Sequence, residues 1–226
     1  MRHSRPHLAL FASAALVAIA TVAGAAPPDA PPSAGKVTAP APASALVGEG
    51  FIFLGEERGV KVYRREKRAG IELAAEGKIG ATPERVRRVL IDYPSHPRWQ
   101  KHLKENRVLT FGDGSLDVYQ RLSLPVLDDR DFTLHATWGS DVDVLWMRFA
   151  IANERGPAPV SGVVRVTHQE GGWRLEPVAG GAATHAVYRC HIDLAGSFPA
   201  WMGKGQATSD LPELFDSITK QLPSYR

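Results

Sequence analysis

The chain has 226 residues, 27 basic and 24 acidic, for a net charge of +3. That length suits one ordinary domain with a sizeable core. A charge this small excludes a broad electrostatic footprint for nucleic acid. One cysteine, Cys190, excludes an intramolecular disulfide and a thiolate metal cluster. The apolar core must therefore hold the fold.

Residues 1–25 read as an export signal. Arg2, His3 and Arg5 make a basic start, an apolar run extends from Leu8 to Val22, and Ala23-Gly24-Ala25 supplies small residues for cleavage. A periplasmic or secreted product is expected. The alternative is an uncleaved anchor, since the run is almost long enough to span a bilayer. Removing Arg2 and Arg5 leaves 25 basic against 24 acidic residues, a net of +1. Residues 26–45 hold six prolines and seven alanines. Such a stretch buries too little to offset ordering at about 1–2 kcal/mol per residue, so a disordered tether is expected. The folded domain is expected over residues 46–226.

Val60 to Arg64 and Ile71 to Ile79 read as strands. Thr82, Pro83 and Glu84 then mark a helix start, because a hydroxyl caps, proline tolerates the first turn and a carboxylate suits the dipole. This helix, Pro83 to about Asp92, places Val86, Val89 and Leu90 on one face, and a Pro-rich turn leads on to Trp99. From Arg107 the pattern is strand after strand. Phe132, Leu134, Ala136 and Trp138 alternate with Asp131, Thr133, His135 and Thr137. Leu145, Met147, Phe149 and Ile151 repeat the alternation, as do Val164 and Val166, Trp173 and Leu175, and Ala186, Tyr188, Cys190 and Ile192. Gly112-Asp113-Gly114 and Gly171-Gly172 read as turns. The pattern is an antiparallel sheet with one dry and one wet face. Leu211, Leu214, Phe215, Ile218 and Leu222 recur at helical spacing and predict a C-terminal helix over the dry face. Burying them contributes roughly 1.5–3 kcal/mol each before entropy. The fold class is α+β, a curved antiparallel sheet closed by a long C-terminal helix.

Several segments, in order, resemble the START domain, the steroidogenic-acute-regulatory-related lipid-transfer module of the helix-grip (SRPBCC) superfamily. Val60-Lys61-Val62-Tyr63 with Arg64-Arg65-Glu66 is similar to its first strand. Trp99 follows the first helix as it does there. Pro125-Val126-Leu127-Asp128-Asp129-Arg130-Asp131-Phe132 is similar to its proline-to-Arg-Asp segment. Gly162-Val163-Val164-Arg165 and Trp173-Arg174-Leu175-Glu176-Pro177 are similar to later strands, and Gly196-Ser197-Phe198-Pro199-Ala200-Trp201 to the approach to its last helix. The resemblance spans about residues 50–222. It implies a cavity between sheet and C-terminal helix for a sterol, phospholipid or similar molecule, with no catalysis and no cofactor. The superfamily also holds aromatase/cyclases, and fold alone does not fix function.

Within such a cavity the expected lining is Gln120, Leu122, Phe132, Leu134, Trp138, Met147, Phe149, Tyr188, Leu214, Phe215 and Ile218. Gln120 shares a face with Leu122 if its strand alternates regularly, and a buried glutamine needs partners that a ligand or water can supply. Tyr188 adds a hydroxyl. Phe198, Trp201 and Met202, beside Lys204, suit a membrane interface or gate, with Gly156-Pro157-Ala158-Pro159 as a facing loop. The expected partners are an apolar small molecule and, transiently, a membrane; a monomer is expected, with no nucleic acid.

No metal site and no catalytic group is expected. His168, His185 and His191 lie on strands, and His185 and His191 stand six residues apart, about 20 Å along an extended strand. Asp128, Asp129 and Asp131 read as a turn in which Arg130 pairs with a nearby carboxylate, rather than as a cation site. Cys190 faces inward, where cysteine acts as a small apolar residue. Two alternatives stay open: a cyclase-type enzyme, which needs an inward acid/base pair, and an interaction module with a solid core.

Overall fold

The computed structural model describes residues 39–40, 43–67, 70–123, 128–193 and 207–225. The expected export signal, most of the Pro/Ala-rich stretch, Pro125-Val126-Leu127, and the expected gate residues Phe198, Trp201 and Met202 lie outside the described residues. Among the described residues no helix is long and apolar enough to cross a membrane.

Hydrogen bonding organises the described residues into ten strands and two α-helices. In chain order they are β1 (Ile52–Glu57), β2 (Val60–Glu66), β3 (Ile71–Ile79), α1 (Pro83–Ile91), β4 (Leu103–Gly112), β5 (Ser115–Leu122), β6 (Arg130–Asp141), β7 (Val144–Ile151), β8 (Val164–Arg165), β9 (His168–Val178), β10 (Ala183–Asp193) and α2 (Ala207–Gln221). One sheet runs β1-β2-β3-β10-β9-β7-β6-β5-β4, and short β8 adds a parallel pair to β6. Every other pairing is antiparallel. The architecture is the expected α+β, an antiparallel sheet with a C-terminal helix.

Local chemistry explains both helices. The Thr82 hydroxyl accepts from the Arg85 amide at 3.4 Å, Pro83 occupies the first turn, and Val86, Val89 and Leu90 are buried. In α2 and the turn after it, Leu211, Leu214, Phe215, Ile218 and Leu222 are all buried. Phe215 packs on Gly77 of β3, where an added Cβ would stand 3.2 Å from the ring, so the glycine lets the helix sit close. The helices lie on the same side: α2 touches β1, β2, β3 and α1, while α1 touches β7, β9 and β10. Arg85 joins them by donating to the carbonyls of Leu222 and Tyr225, each at 2.7 Å.

Three expectations need correction. Gly171 and Gly172 are not a turn but the middle of β9. Their missing side chains let neighbouring backbones close in: a Cβ at Gly171 would meet the Arg189 carbonyl at 2.3 Å, and one at Gly172 the Met147 carbonyl at 2.3 Å. The outer face is not uniformly wet. Residues 43–51 cross it, burying Leu46 and Phe51 against Tyr63 and Ala74. Finally, the Gly156–Pro159 loop does not face the helix; Gly156 is packed against Thr133 on the outer face of β6. The chain that does this covering is distant in sequence from the strands it covers.

Candidate functional site

Between the inner face of the sheet and the two helices lies a cavity of about 60 Å³. It has room for a few water molecules and not for a whole lipid. Leu90, Leu134, Met147, Phe149, Trp173 and Leu214 supply apolar walls. Tyr93, His96, Gln100, Gln120, Gln169 and Tyr188 supply polar groups. Among its described lining residues there is no carboxylate, lysine or arginine. These described walls suit an apolar molecule with an uncharged polar end.

His96 is its most distinctive group. It sits in the 3-10 turn Tyr93–Arg98, which the two prolines Pro94 and Pro97 turn under the sheet after α1 ends. The imidazole packs between Tyr93, with ring centroids 4.6 Å apart, and Trp99, at 4.8 Å. Its Nδ1 lies 3.2 Å from the amide nitrogen of Gln100. That donor assigns the ring proton to Nε2. Nε2 is buried and makes no hydrogen bond of standard geometry among the described residues, although the Val89 and Leu90 carbonyls act on the ring. Burial pushes the imidazole pKa down to about 4, against a smaller upward pull from the Val89 carbonyl and then Asp92.

This depression makes His96 a source of acid sensitivity. Above about pH 6.5 the ring is neutral whether folded or unfolded. As pH falls toward 4 the unfolded state takes the proton first, and stability is lost. The expected loss is on the order of 3 kcal/mol. His96→Gln should remove that part of the pH dependence. Urea unfolding of both proteins at pH 7 and pH 4 measures it. Equal losses in the two proteins would contradict it.

Gln169 supplies the second unpartnered group, a buried Oε1. Its position follows from β9 alternation, which turns Gln169 inward between His168 and Glu170. Gln120 also faces inward, and its Nε2 donates to Asn106 Oδ1 at 2.9 Å. The partner that the sequence left open is thus a side chain of β4. Tyr188 stacks 4.7 Å from Trp173, and burial raises its phenol far above the ordinary range. Cys190 is fully buried on the same face, with its thiol pushed up to about 12 by burial. It is not a nucleophile at neutral pH.

Of the residues expected to line a cavity, Gln120, Leu134, Met147, Phe149, Tyr188 and Leu214 do so. Leu122, Phe132, Phe215 and Ile218 are instead buried in the surrounding core. Trp138 is half-buried near the end of β6, with Phe111 6.0 Å away. Sequence reasoning missed Tyr93, His96, Trp99, Gln100, Gln169 and Trp173 as lining. The first four belong to the Pro-rich turn and the residues after it, a composition that ordinarily signals exposure.

The larger concavity, about 670 Å³, is a groove on the outer face over Gly172. Glu72, His135, Arg148, Glu170, Arg189 and His191 line it beside Pro40, Phe149 and Ala150, so it mixes charged and apolar groups where the inner cavity's described walls hold no charge. Phe51 lies beneath the guanidinium groups of Arg65 and Arg189, at 4.5 and 5.0 Å. Those two arginines converge on Glu49 and Glu72. The acidic cluster is dispersed: Asp129 binds Arg121 and Lys104, and Asp131 binds Arg165 and Tyr119. Arg130 donates to the Asp128 backbone carbonyl. His185 lies between Glu76 and Glu176. His168 and His191 meet at 2.8 Å.

The chain belongs to the START domain family, whose sequence profile matches residues 51–223. Among solved structures it is similar to the STAR-related lipid transfer protein of Xanthomonas axonopodis. The two are 24% identical with a TM-score of 0.68, over 77% of this chain and 99% of that one. It is also similar to human StAR-related lipid transfer protein 5, at 17% identity and a TM-score of 0.69, over 81% of this chain and 93% of that one. At these identities the likeness is one of fold. No curated protein matches the sequence significantly.

Proposed function

We propose that this chain is an exported, non-catalytic carrier of an apolar molecule with an uncharged polar end, a sterol or comparable lipid. The observation that carries the reading is a cavity whose described walls hold no charged side chain and in which His96 Nε2 and Gln169 Oε1 make no hydrogen bond of standard geometry among the described residues. A ligand hydroxyl or carbonyl would satisfy such groups, and its apolar body would meet Met147, Phe149, Trp173 and Leu214. A lipid is far larger than 60 Å³, so uptake requires α2 to move away from the sheet. In this reading residues 1–25 act as an export signal, the donor and acceptor membranes lie outside the cytoplasm, and contact with them is transient and made by a monomer.

A second reading rests on the same imidazole: an acid/base enzyme of the wider superfamily acting on a polycyclic substrate, with His96 inside the cavity. Its pKa of about 4 makes it a weak base at neutral pH. No carboxylate among the described lining residues supports it. Carriage is therefore preferred. The full chain, incubated with donor vesicles containing a sterol and phosphatidylcholine and then with empty acceptor vesicles, should move one of these lipids saturably and return it with unchanged mass. No transfer argues against carriage, and a changed mass favours the enzyme.

A further inference from the structure

We infer that His168, Glu170 and His191 form a binding site for one divalent transition-metal ion of the zinc class on the outer face of the sheet. Sheet register brings these residues together. In the antiparallel β9–β10 pair, Glu170 faces His191 and His168 faces Asp193. Alternation places all four on one face, opposite Gln169 and Ile192. The two histidines lie 23 positions apart in sequence.

The geometry is that of a metal site. His168 Nε2 and His191 Nδ1 are 2.8 Å apart, with ring centroids 4.2 Å apart and planes at 61°. Glu170 Oε1 is 3.6 Å from His191 Nδ1. One ligand atom from each residue lies within 4.8 Å of the others. Tetrahedral bonds of about 2.0–2.1 Å set ligand atoms roughly 3.3 Å apart, so small side-chain rotations complete the shell. Two imidazoles and one carboxylate leave the fourth position to water, and Glu170 and His191 open onto the outer groove, which supplies it. Nitrogen ligands select the zinc class over calcium and magnesium, which take oxygen shells. Glu170 and Asp193 add negative charge, while Lys67, 3.3 Å from Glu72, opposes it.

The site lies outside the cavity and independent of its occupant. It sits where β10 ends at Asp193, and Gln169, between two of the ligands, reaches into the cavity.

The test uses the full chain, stripped with chelator and titrated with Co²⁺ and then Zn²⁺. One Co²⁺ per chain should bind with the visible absorption of a four-coordinate ion, Zn²⁺ should displace it and Mg²⁺ should not. His168→Gln and Glu170→Gln should each weaken binding by at least about tenfold, no less than the loss of an outer-shell partner gives. Glu170 is an exposed side chain, so Glu170→Gln keeps the fold and decides the question alone if the histidine variant does not fold. Absence of stoichiometric binding would overturn the inference. So would unchanged affinity in Glu170→Gln, which would assign any bound ion to other histidines such as His3 and His7.

Discussion

Replacing Arg165 with methionine is expected to destabilise the protein by about 3–5 kcal/mol. The Asp131 side chain is fully buried and accepts from Arg165 Nε at 2.6 Å, Arg165 Nη2 at 3.0 Å and the Tyr119 hydroxyl at 3.0 Å. Removing the guanidinium strands a carboxylate out of water with one neutral donor. The arginine also donates to the Pro157 carbonyl at 3.2 Å, so it ties the loop before β8 to the outer face. Urea unfolding measures the loss. Adding Asp131→Asn should recover a large part, because an amide carries no charge to desolvate and can still accept from Tyr119. A loss under about 1 kcal/mol in the single variant would mean that the pair is not buried as described.

The second large effect concerns uptake. Phe149→Arg should reduce lipid uptake by roughly 10- to 100-fold, the equivalent of losing one buried aromatic contact of about 1.5–3 kcal/mol. Phe149 lines the cavity, and the bare Gly171 gives its ring room: an added Cβ there would stand 2.7 Å from the ring tip. An arginine at this point brings charge into a space whose described walls have none. Phe149→Ala, which removes the same contact without adding a charge, should lose less uptake than Phe149→Arg, and thermal unfolding confirms that each variant is folded. Full uptake by folded Phe149→Arg would show that the ring does not face the ligand.

Much of this fold was legible because its signals are local. The Thr82 cap, the apolar stripe of α1 and the alternation along β6, β7 and β10 each depend on neighbours a few residues away. The five apolar residues from Leu211 to Leu222 likewise announce their own burial. What the sequence hid was made by distant contacts. Nothing near Asp131 or Thr133 says that residues 153–166 cover them, and nothing near Tyr63 says that Leu46 and Phe51 lie on it. Gly171-Gly172 has the composition of a turn, yet its role is close approach of strands. His96 lies in a segment whose prolines suggest a surface turn, and only the placement of α1 on the sheet carries it inside. His168 and His191 become neighbours solely through the β9–β10 register, whereas His185 and His191, nearer in sequence, point to different partners.

The small size of the cavity gives the account its clearest exposure. A carrier must open, and its opened form must hold one apolar molecule against water. Native mass spectrometry of the purified full chain, before and after exchange with sterol-containing vesicles, tests this most directly. The expected spectrum shows one added mass per chain, equal to an intact lipid that solvent extraction recovers unchanged. A bare chain in both spectra, with nothing extracted, would contradict the carrier account and leave a packed START fold with a few buried waters at His96 and Gln169.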